Sequence, residues 1–175
     1  MSGHNKWSQI KHKKAKTDGA KSKLYSKYSK LISAEAQLVK GDKNSPSLRA
    51  LIERAKAEDV TNEVIERAVK KASDGGAALE AITYEAYGPG GCAMMIEAFT
   101  TNKNKAAQEV KHILADNGFS LASIGSASWA FKREGAAWTP ITTVELTDDD
   151  LVALEKLVDA LEANEEVQDV FTNVE

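Results

Sequence analysis

The stretch AVKKASDGGAALEAITYEAYGPGGCAMMIEAF, residues 68–99, holds the change of period that decides the fold. Before it, Ile65, Ala68, Val69 and Ala72 recur at helical spacing. Ser73-Asp74-Gly75-Gly76 then breaks the pattern. Beyond the break, Ile82–Tyr87 and Ala93–Phe99 read as strands, joined through Gly88-Pro89-Gly90-Gly91. A helical region therefore precedes residue 76 and a sheet region follows it.

Towards the N-terminus the helical period continues. A helix starts near Thr61-Asn62, and another opens at Ser45-Pro46, an N-cap followed by proline at the first helical position. Leu48, Leu51, Ile52 and Ala55 give the second its apolar face. From about residue 19, Leu24, Tyr28, Leu31, Ile32, Leu38 and Val39 mark a third, ended by Gly41-Asp42. These three make a small bundle over 19–75. Residues 1–18 have no clear period and read as a basic arm.

Towards the C-terminus a helix at 104–116 turns Val110, Ile113 and Leu114 inward and stops at Asn117-Gly118. Ser128–Lys132 and Ile141–Leu146 read as strands, Asp148–Ala163 as a helix with three aspartates in its first turn, and Val167–Val174 as a closing strand. Dropping the first strand leaves β-α-β-β-α-β, the ferredoxin-like order, for 76–175. The expected class is α+β: a three-helix domain, then a ferredoxin-like sheet domain.

The 175 residues are 42% hydrophobic and 28% charged, the profile of a globular chain. No apolar run approaches the roughly 18–20 residues that cross a bilayer, so no membrane partner is expected. The N-terminus has charge but no apolar run behind it, and begins Met-Ser rather than Met-Gly, so neither a secretory signal nor myristoylation is expected. Cys92 is the single cysteine and has no internal disulfide partner. A cytoplasmic setting follows as the expectation.

Charge is unevenly spread. Residues 1–30 carry nine lysines against the single acid Asp18, whereas 145–175 carry eleven acids against Lys156. Such asymmetry points to a polyanionic partner for the basic end, and the acidic end would disfavour the reverse orientation. Lys16, Lys23, Lys27 and Lys30 fall on one helical stripe, apart from that of Leu24, Tyr28 and Leu31. No glutamates interleave with them, as a merely solvated face would have. With Lys6, Lys11, Lys13 and Lys14 of the arm they form the candidate phosphate contacts; His12 could add a contact to phosphate or a base edge. Trp7 has two readings: a stacking platform for a base, or a pin holding the arm to its own domain. His4 would stand third after loss of Met1, a copper or nickel spacing too short to imply function, so no metal is expected.

Two further places are candidates. Asn102-Lys103-Asn104-Lys105 opens a helix, where two lysines oppose the dipole unless an anion sits between them. The competing reading is an Asn-capped turn with solvated lysines. Tyr87-Gly88-Pro89-Gly90-Gly91 lacks the G-x-x-x-x-G-K pattern and precedes a strand, so it is a tight turn rather than a nucleotide cradle.

Several ordered motifs resemble one family. GHNKWSQIKHKK near the start, YEAYGPGG at 84–91, TTNKNKAAQEVKHILADNG at 100–118, GSASWAF at 125–131, TTVEL at 142–146 and DALEANEEVQDVFTN at 159–173 are similar to the YebC/PmpR family. The resemblance implies a DNA-binding transcriptional regulator, or a translational activator acting on ribosomes stalled at proline-rich sequence. It also implies that the 87–91 loop is a contact surface. Members typically carry a further small domain before TTVEL; here only Ala136–Ile141 bridge that gap. Ala86 stands where glycine is common.

An enzyme is not expected. An acyl-phosphate hydrolase of this fold would need an arginine near GPGGCAMM, which has none. Cys92 has only His112 as a distant partner, and no carboxylate–histidine cluster has metal-ligand spacing. No cofactor is implied. Lysine suits phosphate anchoring more than base reading, and no zinc finger or helix-turn-helix is visible. The expectation is a nucleic-acid-binding regulator whose partner is duplex DNA or ribosomal RNA, its oligomeric state left open.

Overall fold

The computed structural model describes Lys6, Trp7, Gln9, Ile10 and residues 18–175 except Ala136. It divides into two units, one of residues 16–80 and one of residues 81–175 together with the N-terminal segment.

The helical unit contains α1 (Asp18–Leu38), α2 (Pro46–Ala57) and α3 (Asn62–Ser73). Its core is Tyr28, Ile32 and Ala36 from α1, Leu48 and Ala55 from α2, and Ile65, Ala68 and Val69 from α3. Ala36, Ala55 and Ala68 are buried almost completely, and such small side chains let helix backbones approach closely. There the Ser33 hydroxyl donates to the Ala68 carbonyl at 3.0 Å. Beyond α1, Gly41 takes φ +76° and returns its N–H to the Ala36 carbonyl at 2.8 Å. This left-handed turn is one that glycine adopts at low cost. Pro46 at the start of α2 and Thr61 capping α3 stand where the sequence placed them.

The second unit is built on a four-stranded sheet: β1 (Glu80–Tyr87), β2 (Ala93–Thr100), β3 (Leu121–Ala122) and β6 (Val167–Thr172), in the order β3-β1-β2-β6. β1 pairs antiparallel with β3, and β2 antiparallel with β6. α4 (Lys103–Asp116) and α5 (Asp148–Glu162) carry the chain between strands. β4 (Phe131–Glu134) and β5 (Ala137–Pro140) form a separate antiparallel hairpin, with Gly135 at φ +64° in its turn.

β2 is buried along nearly its whole length, since it is covered on both faces. Side chains alternate across a strand. Met94 and Ile96 therefore join Val110, Leu114, Leu151, Leu154 and Leu157 in the helix-side core, while Ala93 and Met95 pack with Ala127, Ala130 and Phe131.

The α+β class and the two-part organisation agree with the sequence reading, but strand membership differs. β1, the strand set aside to reach the ferredoxin-like order, is a central member of the sheet. The expected strand at Ile141–Leu146 lies one step later than the real one, β5. That stretch makes only an isolated parallel bridge, Val144 to Val174. Its backbone is engaged elsewhere: the N–H groups of Ile141 and Thr142 both point to the Ala130 carbonyl. Ser128–Lys132 is likewise a short 3-10 turn at 128–130 followed by β4.

Candidate nucleic-acid interface

The described residues of the arm are helical, and they place two side chains in the sheet unit. Trp7 is 7% exposed and belongs to the core that contains Ala86, Cys92, Met94 and Leu151, with Ile10 packed beside it. The two stand three residues apart, on one face of a helical turn. This corrects one reading of Trp7: its side chain is buried in the apolar core, so it pins the arm and is not displayed as a platform for a base. Lys6 is exposed, and its ammonium pairs with Asp148 in the first turn of α5. Lys11, His12, Lys13, Lys14 and Lys16 lie outside the described residues.

On α1, Lys23, Lys27 and Lys30 are half-buried rather than fully solvated, and each has an interaction partner. Tyr28, on the inner face, donates to Glu58 at 2.7 Å. Burial, reinforced by that carboxylate, pushes its phenol up to about 12. α2 and α3 are joined by residues 58–61, the connection length of a helix-turn-helix. The first turns of α3 nevertheless present Glu63 and Glu66, paired with Arg67 and Lys43 at 2.6 Å each. The end of a recognition helix that enters a major groove would here be acidic, which opposes that mode of reading.

At the start of α4, Asn102 accepts the Lys105 N–H at 3.1 Å, an N-cap of the kind expected. Lys105 lies 3.7 Å from Glu109 and 3.5 Å from Glu166, and these carboxylates raise its pKa, Glu109 most. An anion held between Lys103 and Lys105 would have to compete with two carboxylates already there. Lys103 and Asn104 stay exposed. The geometry is that of the capped turn.

The 87–91 loop is a packed turn. Gly88 and Pro89 are buried, and Gly90 and Gly91 take φ +64° and +77°. A Cβ at Gly90 would lie 2.4 Å from Leu146 Cδ2, and one at Gly88 would lie 2.7 Å from Met94 Sδ. The glycines thus serve close approach as well as backbone conformation. Tyr87 donates its hydroxyl to the Ser126 carbonyl and accepts from Trp129 Nε1 at 2.8 Å.

Sequence reasoning missed the polar anchors on the hairpin side of the sheet. Glu85 is 6% exposed, and its carboxylate accepts the N–H groups of Gly125 at 2.5 Å, Ala127 at 3.0 Å and Ser128 at 2.7 Å. Burial pushes its pKa up, but these backbone donors outweigh burial and hold it below the usual value. Glu97 accepts from Thr83 at 2.9 Å, Arg133 at 2.9 Å and Trp138 at 2.6 Å, which ties the β4–β5 hairpin to the sheet. Asn173, 1% exposed, accepts from Ala93 N–H and donates to the Thr142 carbonyl. Alternation along TYEAY was the available signal, since it sets Thr83, Glu85 and Tyr87 on one face. Nothing local to it reveals that residues 125–128 cover that face.

Among the described residues, Cys92 and His112 are not brought together. Cys92 is fully buried, and burial raises its thiol to about 11. His112 is exposed and lies beside Asp116 at 3.2 Å. Among the described residues no cluster of His, Cys, Asp and Glu could hold a metal ion, and no helix is long and apolar enough to cross a membrane.

Fold and site together define a class: a three-helix unit with a lysine-rich first helix, followed by an acid-rich antiparallel sheet unit. The pattern of the TACO1/YebC protein N-terminal domain matches residues 5–75, and that of the TACO1/YebC second and third domain matches 79–137 and 135–174. The chain belongs to the TACO1/YebC family. It is 42% identical over 175 residues to a probable transcriptional regulatory protein of Halothermothrix orenii, covering 98% of this chain and 66% of that relative. It is 35% identical over 239 aligned positions to one of Thermoanaerobacter pseudethanolicus, covering 100% of this chain and 97% of the relative. The crystal structure of a conserved hypothetical protein, Aq1575 from Aquifex aeolicus, superposes with a TM-score of 0.79 at 27% identity, covering 92% of this chain and 93% of that one. The two matched stretches of the second pattern overlap at 135–137, between β4 and the start of β5.

Proposed function

We propose that the protein is a non-enzymatic, cytoplasmic regulator of gene expression that binds nucleic acid by its phosphates, through the lysines of the arm and of α1. The observation that carries this reading is the charge segregation: nine lysines against one acid in residues 1–30, in a chain of net charge −3. Lysines packed this closely repel one another, and a phosphate backbone removes that cost. The names of the relatives, probable transcriptional regulatory proteins, support a role in regulation. Lys6, held by Asp148, contributes least to the contact. The extra length of longer relatives would enter at the hairpin turn around Gly135.

The test is duplex binding across a salt series with Lys13→Glu/Lys14→Glu. The double variant is expected to bind every sequence more weakly and to reduce the salt slope by about two. An unchanged slope removes these lysines from the contact.

A second reading, binding of ribosomal RNA in translation, is favoured by the acidic first turns of α3 and the use of lysine rather than base-reading arginine. Sedimentation with ribosomes in the presence of excess duplex DNA separates the two. Retention on ribosomes favours translation, and loss to the DNA favours the transcriptional regulator.

A further inference from the structure

We propose that the loop Ser123–Trp129 is a second nucleic-acid contact, on which Trp129 stacks an unpaired base while Ile124 wedges beside it. The inference rests on the nucleic-acid reading above and adds the kind of strand recognised.

The loop combines two properties that rarely meet by accident. It displays large apolar side chains to water, with Ile124 97% and Trp129 56% exposed. It is also rigidly held. The buried Glu85 carboxylate takes three of its N–H groups, Tyr87 bonds Ser126, and Trp129 Nε1 bonds Tyr87. Gly125, at φ +88°, makes the turn that lifts Ile124 outward. With its ring nitrogen anchored, the Trp129 indole is restricted before any partner arrives, which lowers the ordering cost of binding.

The loop itself carries no acidic side chain to repel a sugar–phosphate backbone. The sheet unit is rich in acids, yet no acidic residue occurs from Asn117 to Arg133. The charge of Glu85 beneath the loop is met by backbone donors. The segment ends in exposed Lys132 and Arg133, which pair with Glu134 and Glu97. Ser123, Gly125, Ser126 and Ser128 are small enough for a sugar–phosphate backbone to approach. An exposed aromatic ring and an exposed aliphatic side chain, on a loop that itself carries no acidic residue, fit a splayed base of single-stranded nucleic acid.

The experiment measures fluorescence anisotropy of a labelled short oligouridine and of a labelled duplex at physiological salt. Wild type is compared with Trp129→Ala, Trp129→Phe and Ile124→Ser; circular dichroism verifies folding of these surface variants. Trp129→Ala is expected to weaken oligouridine binding roughly five- to hundredfold, Trp129→Phe to retain most of it, and duplex binding to stay unchanged. Equal oligouridine affinity in Trp129→Ala and wild type, with duplex binding intact, overturns the loop contact and leaves the phosphate reading standing. Altered self-association in those variants would then reassign the loop to a second copy of the chain. Failure of wild type to bind either probe removes both readings.

Discussion

The two units solve the same problem with different chemistry. The helical unit closes around Ile32, Leu48, Ala55 and Ile65, and among its described residues Ser33 is the one polar side chain classed as buried. The sheet unit has an apolar core on its helix side, but its other face is fastened by Glu85, Glu97 and Asn173. The first arrangement depends on volume and tolerates approximate direction. The second depends on partners at fixed positions, which makes loops far apart in sequence hold one shape.

Removing volume should therefore hurt the helical unit most. Leu48→Ala, at a fully buried site, is expected to cost about 3–4 kcal/mol, read from urea unfolding of the tyrosine signal. A loss below about 1 kcal/mol would mean that this core is loosely packed. Removing an acceptor should hurt the sheet unit. Glu85→Ala leaves the N–H groups of Gly125, Ala127 and Ser128 without their carboxylate, a cost of about 2–3 kcal/mol. Tryptophan fluorescence reports this selectively, since Trp7, Trp129 and Trp138 all belong to the sheet unit.

Acid sharpens the contrast. The Glu85 pKa is lowered in the folded state from the ordinary 4.5. Its stabilisation is therefore present above that value and is lost as pH falls through the folded pKa. The tryptophan-monitored midpoint should drop across this range in wild type and flatten in Glu85→Gln. The helical unit has no carboxylate classed as buried among its described residues and should lag behind. A smaller effect is expected at the helix cap, where Thr61→Ala should cost about 1 kcal/mol in urea unfolding.

The difference between the units also explains what could be read in advance. Helical periodicity is local, so α1, α2 and α3, with Pro46 and Thr61 at their starts, were legible to within a residue or two. α4, α5 and β2 were equally plain. The stretch at 141–146 misled because its β-branched residues, with Val144 and Leu146 two apart, read as a strand, while its backbone is held by Ala130 and Asn173. Glu85 was invisible as an anchor because its partners lie some forty residues away. Trp7 carried both of its readings in the sequence, and only the position of the sheet core chose between them.

The central claim is that clustered lysines at one end of an acidic protein meet phosphates. Measuring the affinity of the intact wild-type chain for duplex DNA across a salt series tests it most directly. With about five or six phosphates contacted, log K should fall against log salt with a slope of about −4 to −5. A slope near zero would contradict it.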